Sequence, residues 1–541
     1  MSLRALARVA RTPLGARLVY RLLHADLGID GLQSLPEDRR GELRLDNRPM
    51  QARPPRVGAG ETLPFPPPRS WPVTSETLGL AYRRGEASPS EIVTRALAGA
   101  RVLAARKPCV GPILDFCDEA ALREAELSTA RYREGKVRGP LDGIPVVVKE
   151  QTSVRGLPRR SGTGFVDPSP CREDATPVAR LRAAGAIVLG TSPMTEFGMT
   201  TTGANPHRDM PRNPHATDRP AGGSSTGSGV AVATGLVPCA LGADGGGSIR
   251  IPAATNGVFG IKPTWGRVSR SGDSAFDSVT HLGPLGASTL DLARALEVVA
   301  GVDPSDPHTA DQPPVGSWVR ALERGVRGLT VGLPTREWED AEPAVAAAGK
   351  EAVAALEREG ATLVPLELEI ARHAASLGYV AIGVEALGAL RKEWREHAGD
   401  MGADLQISLA ALSCVSVAEY MDVQRLRTGL RLEMARAFEH VDLVALPTIA
   451  ATPPRVTDKE MKSGFVDAHA VSAACRFNFL GNLTGLPALS CPVGLDENRL
   501  PVGLQLIGDA LDEATLFAAS AHLERIGASV AHEPEVAIHL L

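Results

Sequence analysis

The chain lacks several features that mark common classes of protein. Its seven cysteines are scattered, and no two of them form a C-x-x-C pair. This pattern does not fit a disulfide framework or a zinc knuckle, and it favours a reducing, cytoplasmic compartment. The formal net charge is only -5 over 541 residues. Because nucleic-acid binding calls for a basic domain, we expect no nucleic acid as main partner.

Long apolar runs and the standard cofactor motifs are also missing. The longest strongly apolar run, 230–243, is too short to span a bilayer and contains Gly235 and Pro238. The sequence has no P-loop, no H-E-x-x-H and no G-x-G-x-x-G that opens a helix. Its histidines show no metal-ligand spacing. We therefore expect neither a metal nor another cofactor.

Composition along the chain predicts two parts. Residues 1–72 hold a basic N-terminus followed by a proline-rich connector, and residues 73–541 form the main body. In the body, predicted strands such as 144–148 and 186–190 alternate with predicted helices, which indicates the α/β class. One helix is predicted to start after Ser88, with Glu91 completing a capping box.

The first 25 residues are basic and contain no acid. They carry five arginines, while Leu14, Leu18 and Leu22 repeat at helical spacing. A basic amphipathic helix of this kind can lie on an anionic membrane, which predicts peripheral membrane contact through residues 1–25. Two other interpretations stay open. The leucines could pack on the protein body, or the segment could be an organellar presequence.

Glycines and serines concentrate between Ala221 and Arg250, in AGGSSTGSGVAVATGLVPCALGADGGGSIR. Glycine lets a backbone approach a reacting group closely. Upstream, the apolar run PVVVK ends on Lys149. Serines among glycines, with a lysine at the end of a buried strand, predict a Ser/Lys hydrolase. The G-x-S-x-G at 223–227 offers an alternative, the nucleophile elbow of an α/β-hydrolase-type esterase that would use Ser225.

Taken together, these segments resemble the amidase signature family of serine hydrolases. The resemblance rests on GGSS at 222–225, GADGGGSIR at 242–250 and GIKPT at 260–264, and it extends to PVVVK at 145–149 and NLTGLP at 482–487. It implies an α/β fold with one large mixed β-sheet covered by helices on both faces. The catalytic domain would then be residues 73–541.

The resemblance also implies a role for each residue of the site. The implied nucleophile is Ser248, the general base is Lys149, and the bridging serine is Ser224, whose peptide bond to Gly223 is cis in the family. The implied oxyanion hole is Gly245, Gly246 and Gly247, and the implied supporting residues are Ser225, Asp244 and Arg250. Ser225 is expected to hydrogen-bond near Lys149 or Ser224.

The chemistry requires a lysine with a lowered pKa, because only the neutral amine can take a proton from serine. The reference pKa of lysine is about 10.4, and burial beside uncharged groups lowers it by as much as roughly 3–5 units. Other interpretations stay open for each residue. Lys149 could pair with Glu150, Ser224 could cap a helix, and Ser248 could be a turn serine.

The expected function is hydrolysis of a linear carboxylic amide through an acyl-serine. A second hypothesis is the glutamine-hydrolysing amidase subunit of a tRNA amidotransferase. Against it stand the additional N-terminal residues and Ile251, because glutamine is familiar after this arginine in that subfamily. A third hypothesis is a catalytically silent binding protein, which the presence of all three catalytic positions disfavours.

The substrate is expected to be a small-molecule amide with an apolar acyl or aryl group. The predicted pocket segments are 273–281, 377–390 and 462–477, which are poor in charge. Their aromatic residues are Phe276, Tyr379, Phe465 and Phe477. A homodimer is a further hypothesis.

Overall fold

The computed structural model describes residues 3–25, 27–50, 53, 62–67, 71–275, 277–463 and 467–541. The strands of this part are β1 (Asp115–Phe116), β2 (Pro145–Lys149), β3 (Ile187–Ser192), β4 (Arg212–Asn213), β5 (Ala216–Pro220), β6 (Cys239–Asp244), β7 (Phe259–Lys262), β8 (His281–Gly286), β9 (Thr330–Pro334), β10 (Thr362–Leu366), β11 (Leu443–Pro447), β12 (Ala488–Leu495) and β13 (Pro501–Gly508).

The α-helices are α1 (Leu3–Ala10), α2 (Pro13–Leu23), α3 (Ile29–Gln33), α4 (Ser75–Arg84), α5 (Pro89–Ala105), α6 (Asp118–Arg133), α7 (Thr176–Ala183), α8 (Thr226–Ala233), α9 (Arg250–Asn256), α10 (Thr289–Val299), α11 (Trp318–Ala321), α12 (Thr335–Asp340), α13 (Pro343–Arg358), α14 (Ala374–Ala389), α15 (Arg391–His397), α16 (Ala403–Leu412), α17 (Val417–Ala437), α18 (Asp458–Ser463), α19 (Ala468–Cys475), α20 (Phe479–Thr484) and α21 (Glu513–Arg525). Short 3₁₀ helices lie at Glu37–Arg39, Glu196–Gly198, Pro307–Thr309 and Ala371–His373.

Eleven of the described strands form one sheet, in the order β1-β3-β2-β6-β8-β7-β12-β13-β11-β9-β10. The pairs β2–β3, β2–β6, β9–β11 and β9–β10 are parallel. The other pairs in the sheet are antiparallel. The predicted large mixed sheet is therefore confirmed.

Helices cover both faces of this sheet. Successive side chains of a strand point to opposite faces. In β2, Val146 and Val148 belong to a core cluster that contains residues of α7, α10 and α21. Val147 belongs to a different cluster, with residues of α4, α5 and α8. The layered α/β class expected from the alternating pattern is confirmed, and Ser88 and Glu91 form the predicted capping box at the start of α5.

The topology brings the chemical segments to one edge of the sheet. Strands β2 and β6 are parallel neighbours, with Val146 opposite Cys239 and Val148 opposite Leu241. Parallel neighbours end at the same edge, which is where α/β sheets place their ligand sites. Lys149 is the last residue of β2, and the loop after β6 runs 245–249 before α9 begins.

The N-terminal helices pack against α16 through small residues. Their buried Ala7, Ala10 and Ala16 share a core cluster with alanines of α16. Leu14, Leu18 and Leu22 do not join this core, because their exposures are 80%, 53% and 66%. The interpretation in which these three leucines pack on the protein body is therefore wrong. Most of the connector lies outside the described residues, and the domain boundary at residue 72 stays a prediction.

No single helix of the described chain is both long and apolar enough to cross a membrane. The stretch Ala371–Ala389 together with Arg391–His397 meets the length and composition criteria as a pair, but it bends by 71° between the two parts.

Candidate active site

Lys149 is buried at the carboxyl end of β2, where its amine contacts the glycine-serine segment. Its Nζ donates to Ser224 Oγ at 2.7 Å and to the Ala243 carbonyl at 3.3 Å. The side chain is almost fully covered. The parallel pairing of β2 with β6 explains this geometry, since it sets the end of β2 beside the last residues of β6.

Burial changes the protonation of Lys149. Loss of water around the amine lowers its pKa from 10.5 to about 7, and the carboxylates of Asp273, Asp244 and Glu150 only partly oppose this fall. Desolvation acts this way because it disfavours the charged form. A substantial fraction of Lys149 is therefore neutral near pH 7, as a general base requires.

The alternative ion pair between Lys149 and Glu150 is not formed. Glu150 instead binds Arg208 with two oxygens, at 2.7 and 2.9 Å. A second buried lysine, Lys262, donates to the carbonyls of Pro263 and Leu486 at 3.0 and 2.6 Å. Lys149 differs from Lys262 because its partner is a serine hydroxyl, which can carry a proton onward.

The two adjacent serines have different surroundings. Ser224 accepts from Lys149, and its peptide bond to Gly223 is cis, as the resemblance implies. The Ser225 hydroxyl donates to the Ala243 carbonyl at 3.1 Å and accepts from the Ala243 N–H at 3.3 Å. Ser225 therefore contacts neither Lys149 nor Ser224 through its hydroxyl, which corrects the expectation, although Ala243 is shared.

This placement of Ser225 contradicts the nucleophile-elbow alternative. An attacking hydroxyl must reach the substrate, yet Ser225 is fully buried and its hydroxyl is held on both sides by one backbone unit. It is the residue before α8 but does not cap that helix through its side chain. Ser225 acts as a brace between the start of α8 and the end of β6.

Ser248 ends the glycine loop and faces a cavity together with Lys149 and Ser224. Its hydroxyl donates to no other described residue. The loop differs from the prediction at Gly247, because the Gly247 N–H donates to Asp244 Oδ1 at 2.7 Å. The N–H groups of Gly245, Gly246 and Ser248 are not used by other residues of the described chain. These three are the donors that the loop can offer to a ligand.

Asp244 and Arg250 form a fully buried ion pair that fixes this loop. Arg250 donates from Nε and Nη2 to the two Asp244 oxygens, at 2.9 Å each. Arg250 also donates to Asn482 Oδ1 at 2.6 Å and to the Gln505 side chain. Burial alone would raise the pKa of Asp244, but the charge and hydrogen bonds of Arg250 and a hydrogen bond from Asn482 hold this pKa well below its usual value.

Breaking this pair should destabilise the protein strongly. In Asp244→Asn the size of the side chain is kept, but Arg250 becomes a buried charge without a counter-ion. Removing one partner of a buried pair costs about 3–5 kcal/mol. We expect a loss of that size in urea unfolding, together with reduced amidase activity because the Gly247 N–H loses its anionic acceptor.

A matched control is Glu351→Gln, which removes an exposed ion pair with Arg358 at 2.8 Å. Exposed pairs contribute at most about 1 kcal/mol. Equal losses of unfolding free energy in the two variants would show that the buried pair has no special structural role.

The cavity beside Ser248 has a volume of about 760 Å³. Its polar floor includes Lys149, Ser224 and Ser248, and most of its wall is apolar. The aromatic rings of Tyr379 and Phe479 lie 5.1 Å apart between their centroids in this wall. Gly246 lies under Phe479, since a Cβ at Gly246 would come within 2.5 Å of that ring.

The predicted pocket segments all contribute to this cavity, through Ser274, Tyr379 and Val471 among others. Phe477 does not line it and is buried in a core cluster instead. Phe276 and Phe465 lie outside the described residues. Sequence reasoning missed the walls supplied by α1, α2 and α16 and the turn after α2, whose lining residues include Leu3, Leu6, Leu23, Leu27, Leu405 and Leu412.

The site thus defines a class: an α/β protein with a buried lysine–serine pair beside a second serine on a glycine loop. Among the described residues, no group of three or more histidine, cysteine, aspartate or glutamate side chains is placed to hold a metal. Residues 99–517 match the family model Amidase, and the chain belongs to that family. The predicted class, an amidase of the amidase signature type, is confirmed.

The chain is similar to proteins with different substrates. It is 37% identical over 446 residues to the A-type chain of the glutamyl-tRNA(Gln) amidotransferase of Anaeromyxobacter dehalogenans, covering 77% of this chain and 89% of that protein. It is 31% identical over 480 residues to a fatty acid amide hydrolase of Oryza sativa, covering 86% and 79%. A bacterial aryl acylamidase structure matches with a TM-score of 0.74 and 26% identity, covering 84% and 96%.

Proposed function

We propose that the chain hydrolyses linear amides of apolar carboxylic acids, with Ser248 as nucleophile, Ser224 as proton bridge and Lys149 as general base. The observation that carries this proposal is the 2.7 Å hydrogen bond from Lys149 to Ser224 in a cavity that also contains Ser248. A neutral lysine can accept the Ser224 proton while Ser224 takes the proton of Ser248.

The reaction then proceeds in two halves. Ser248 Oγ attacks the amide carbonyl carbon, and its proton moves through Ser224 to Lys149. The oxyanion accepts from the free N–H groups of Gly245, Gly246 and Ser248, each of which is worth about 3–4 kcal/mol in related hydrolases. Collapse breaks the C–N bond, and the amine leaves with the proton returned by the relay. Water then cleaves the acyl-serine by the same route.

The acyl group is proposed to lie along the apolar wall next to the glycine loop. A Cβ on Gly245 would come within 2.9 Å of the Ile382 side chain, and one on Gly246 within 2.5 Å of Phe479. An apolar acyl group on Ser248 would extend past these side chains and Tyr379. Burying each methylene group contributes about 0.8 kcal/mol, so chain length should raise the specificity constant.

A series of acyl p-nitroanilides tests this proposal, because the leaving group stays constant while the acyl chain grows. We expect kcat/KM to rise by up to about fourfold per methylene until the cavity is filled. The gain should shrink in Phe479→Ala, which removes part of the apolar wall beside Gly246.

A series of acids that end in a carboxylate is the matched control, since it adds the same length with a charge that the apolar wall cannot solvate. A flat or falling dependence of kcat/KM on chain length in the apolar series would contradict the acyl assignment.

The amidotransferase alternative is supported by the sequence similarity to the glutamyl-tRNA(Gln) amidotransferase chain. This chain differs from that expectation at Ile251, which is fully buried directly after Arg250. Purified protein should release ammonia from apolar amides without a partner. Ammonia release from glutamine that occurs only with added partner proteins would favour the alternative.

We propose a cytoplasmic enzyme without a cofactor and without a nucleic-acid partner, and we keep the homodimer as a hypothesis. Size-exclusion chromatography with light scattering measures the oligomeric state. Peripheral membrane contact through residues 1–25 is supported by the exposure of the leucines of α2.

A further inference from the structure

The outward face of α2 carries a row of large apolar side chains. Leu14, Leu18 and Leu22 are each four residues apart, so they share one face of the helix. Their exposures of 80%, 53% and 66% contrast with the buried Ala16 and Val19 on the opposite side. Such a row is costly to leave in water and indicates a surface that meets another apolar phase.

Basic side chains flank this row. Arg17 and Arg21 are exposed next to the leucines, and neither makes an ion pair with the part of the chain that the structure describes. Together with Tyr20, His24, Ser413 and Cys414 they line an open depression of about 640 Å³.

The acidic groups near this depression are already engaged. Glu419 accepts from Tyr20 at 3.1 Å, and Asp30 contacts His24 at 3.2 Å. The two guanidinium groups are therefore available to an anion.

We infer that the outward face of α2 docks on an anionic phospholipid bilayer, with Leu14, Leu18 and Leu22 among the acyl chains and a headgroup phosphate in the depression at Arg17 and Arg21. Basic residues beside apolar ones are the combination that holds a helix in the plane of a membrane interface. A protein partner would need acidic and apolar groups in matching rows, whereas an anionic bilayer supplies both along any direction.

Docking on this face would connect the membrane with the active-site cavity. The opposite side of the same helical pair, with the turn that follows it, lines the cavity through Leu3, Leu6, Leu23 and Leu27. The wall between bilayer and cavity is thus only the α1–α2 pair, which packs on α16 through small alanines. This step rests on the proposed function: apolar amides dissolved in the bilayer would reach Ser248 past these leucines.

Vesicle co-sedimentation of the full chain tests the docking surface. We expect binding to phosphatidylcholine vesicles that contain phosphatidylglycerol, weak binding to pure phosphatidylcholine, and weakening with added NaCl. Arg17→Gln with Arg21→Gln should lower the affinity about thirtyfold, because each arginine acts near an anionic surface. Replacing Leu14, Leu18 and Leu22 by glutamine should lower it about a hundredfold or more.

The matched controls are Arg123→Gln and Leu127→Gln on α6, where both residues are also exposed. Equal binding of the α2 variants and these controls would overturn the proposal, as would equal binding to neutral vesicles. Inorganic phosphate that competes fully with the vesicles would show a free-anion site instead of a bilayer contact.

Turnover separates this inference from the proposed function. The α2 variants should keep wild-type turnover of a short, water-soluble anilide but lose most turnover of a long-chain anilide presented in anionic vesicles. Ser248→Ala should still bind vesicles while losing turnover of both substrates. Vesicle binding without any amide hydrolysis by the wild type would reject the proposed function and leave the docking surface standing.

Discussion

Replacing Ser248 by alanine is expected to reduce kcat for amide hydrolysis by roughly ten-thousand-fold or more. The alanine keeps the loop geometry, since the Gly247 N–H still donates to Asp244 and the loop backbone needs no Ser248 hydroxyl. The Lys149–Ser224 pair would remain but would have no nucleophile to deprotonate. A fluorophosphonate probe should label the wild type and fail to label this variant, as measured by intact-protein mass spectrometry.

Ser225→Ala is the matched control, because it removes an adjacent hydroxyl that bonds only to the Ala243 backbone unit. It should keep the label, although the lost brace could slow turnover. Labelling that persists in Ser248→Ala and disappears in Ser225→Ala would reject the proposed roles in favour of the nucleophile elbow.

Much of this site was predictable because its parts are local in sequence. The loop 244–250 carries the glycines, the serine and the buried pair within seven consecutive residues, so order along the chain already fixes their proximity. The partner strand was predictable as well. An apolar run that ends on a lysine indicates a buried strand, and parallel pairing brings Lys149 to the loop.

The direction of individual backbone groups was not predictable. Three consecutive glycines suggest three equivalent N–H donors, yet the Gly247 N–H is taken by Asp244. This choice depends on the φ of +114° at Gly247, which a residue type permits but does not specify. The same limit applies to Ser225, whose hydroxyl turns toward Ala243.

The cavity walls were partly hidden for a different reason. Leu6 and Leu405 line one cavity although about 400 residues separate them in the chain. Helical periodicity shows that α2 has an apolar row, but it does not tell which of its faces meets the protein. The structure reverses the simplest expectation, since α2 buries its small residues and exposes Leu14, Leu18 and Leu22.

Lys149→Met is expected to lower kcat/KM about a thousandfold, the contribution typical of a general base. In the wild type, kcat/KM should rise about tenfold per pH unit up to pH 7 and then level off, because the Lys149 pKa is about 7 and only the neutral amine accepts a proton. The variant should lose this rise. A wild-type profile that falls as the pH increases from 6 to 8 would contradict the assignment of Lys149 as the base.

The same substitution should make the protein more stable at neutral pH. The Lys149 pKa falls from 10.5 to about 7 on folding, which corresponds to about 5 kcal/mol of disfavoured charging. Between these values the unfolded chain holds more protons than the folded one, so stability rises with pH, and the full penalty is present below pH 7. Methionine avoids the penalty but loses the hydrogen bond to Ser224.

We therefore expect Lys149→Met to gain about 1–4 kcal/mol over the wild type in urea unfolding at pH 7, and to gain much less at pH 10. A variant that loses activity and gains stability has lost a strained functional group, whereas one that loses both has lost a structural contact. A stability difference that is independent of pH, or a loss at pH 7, would mean that Lys149 is charged in the folded protein and that the base must be sought elsewhere.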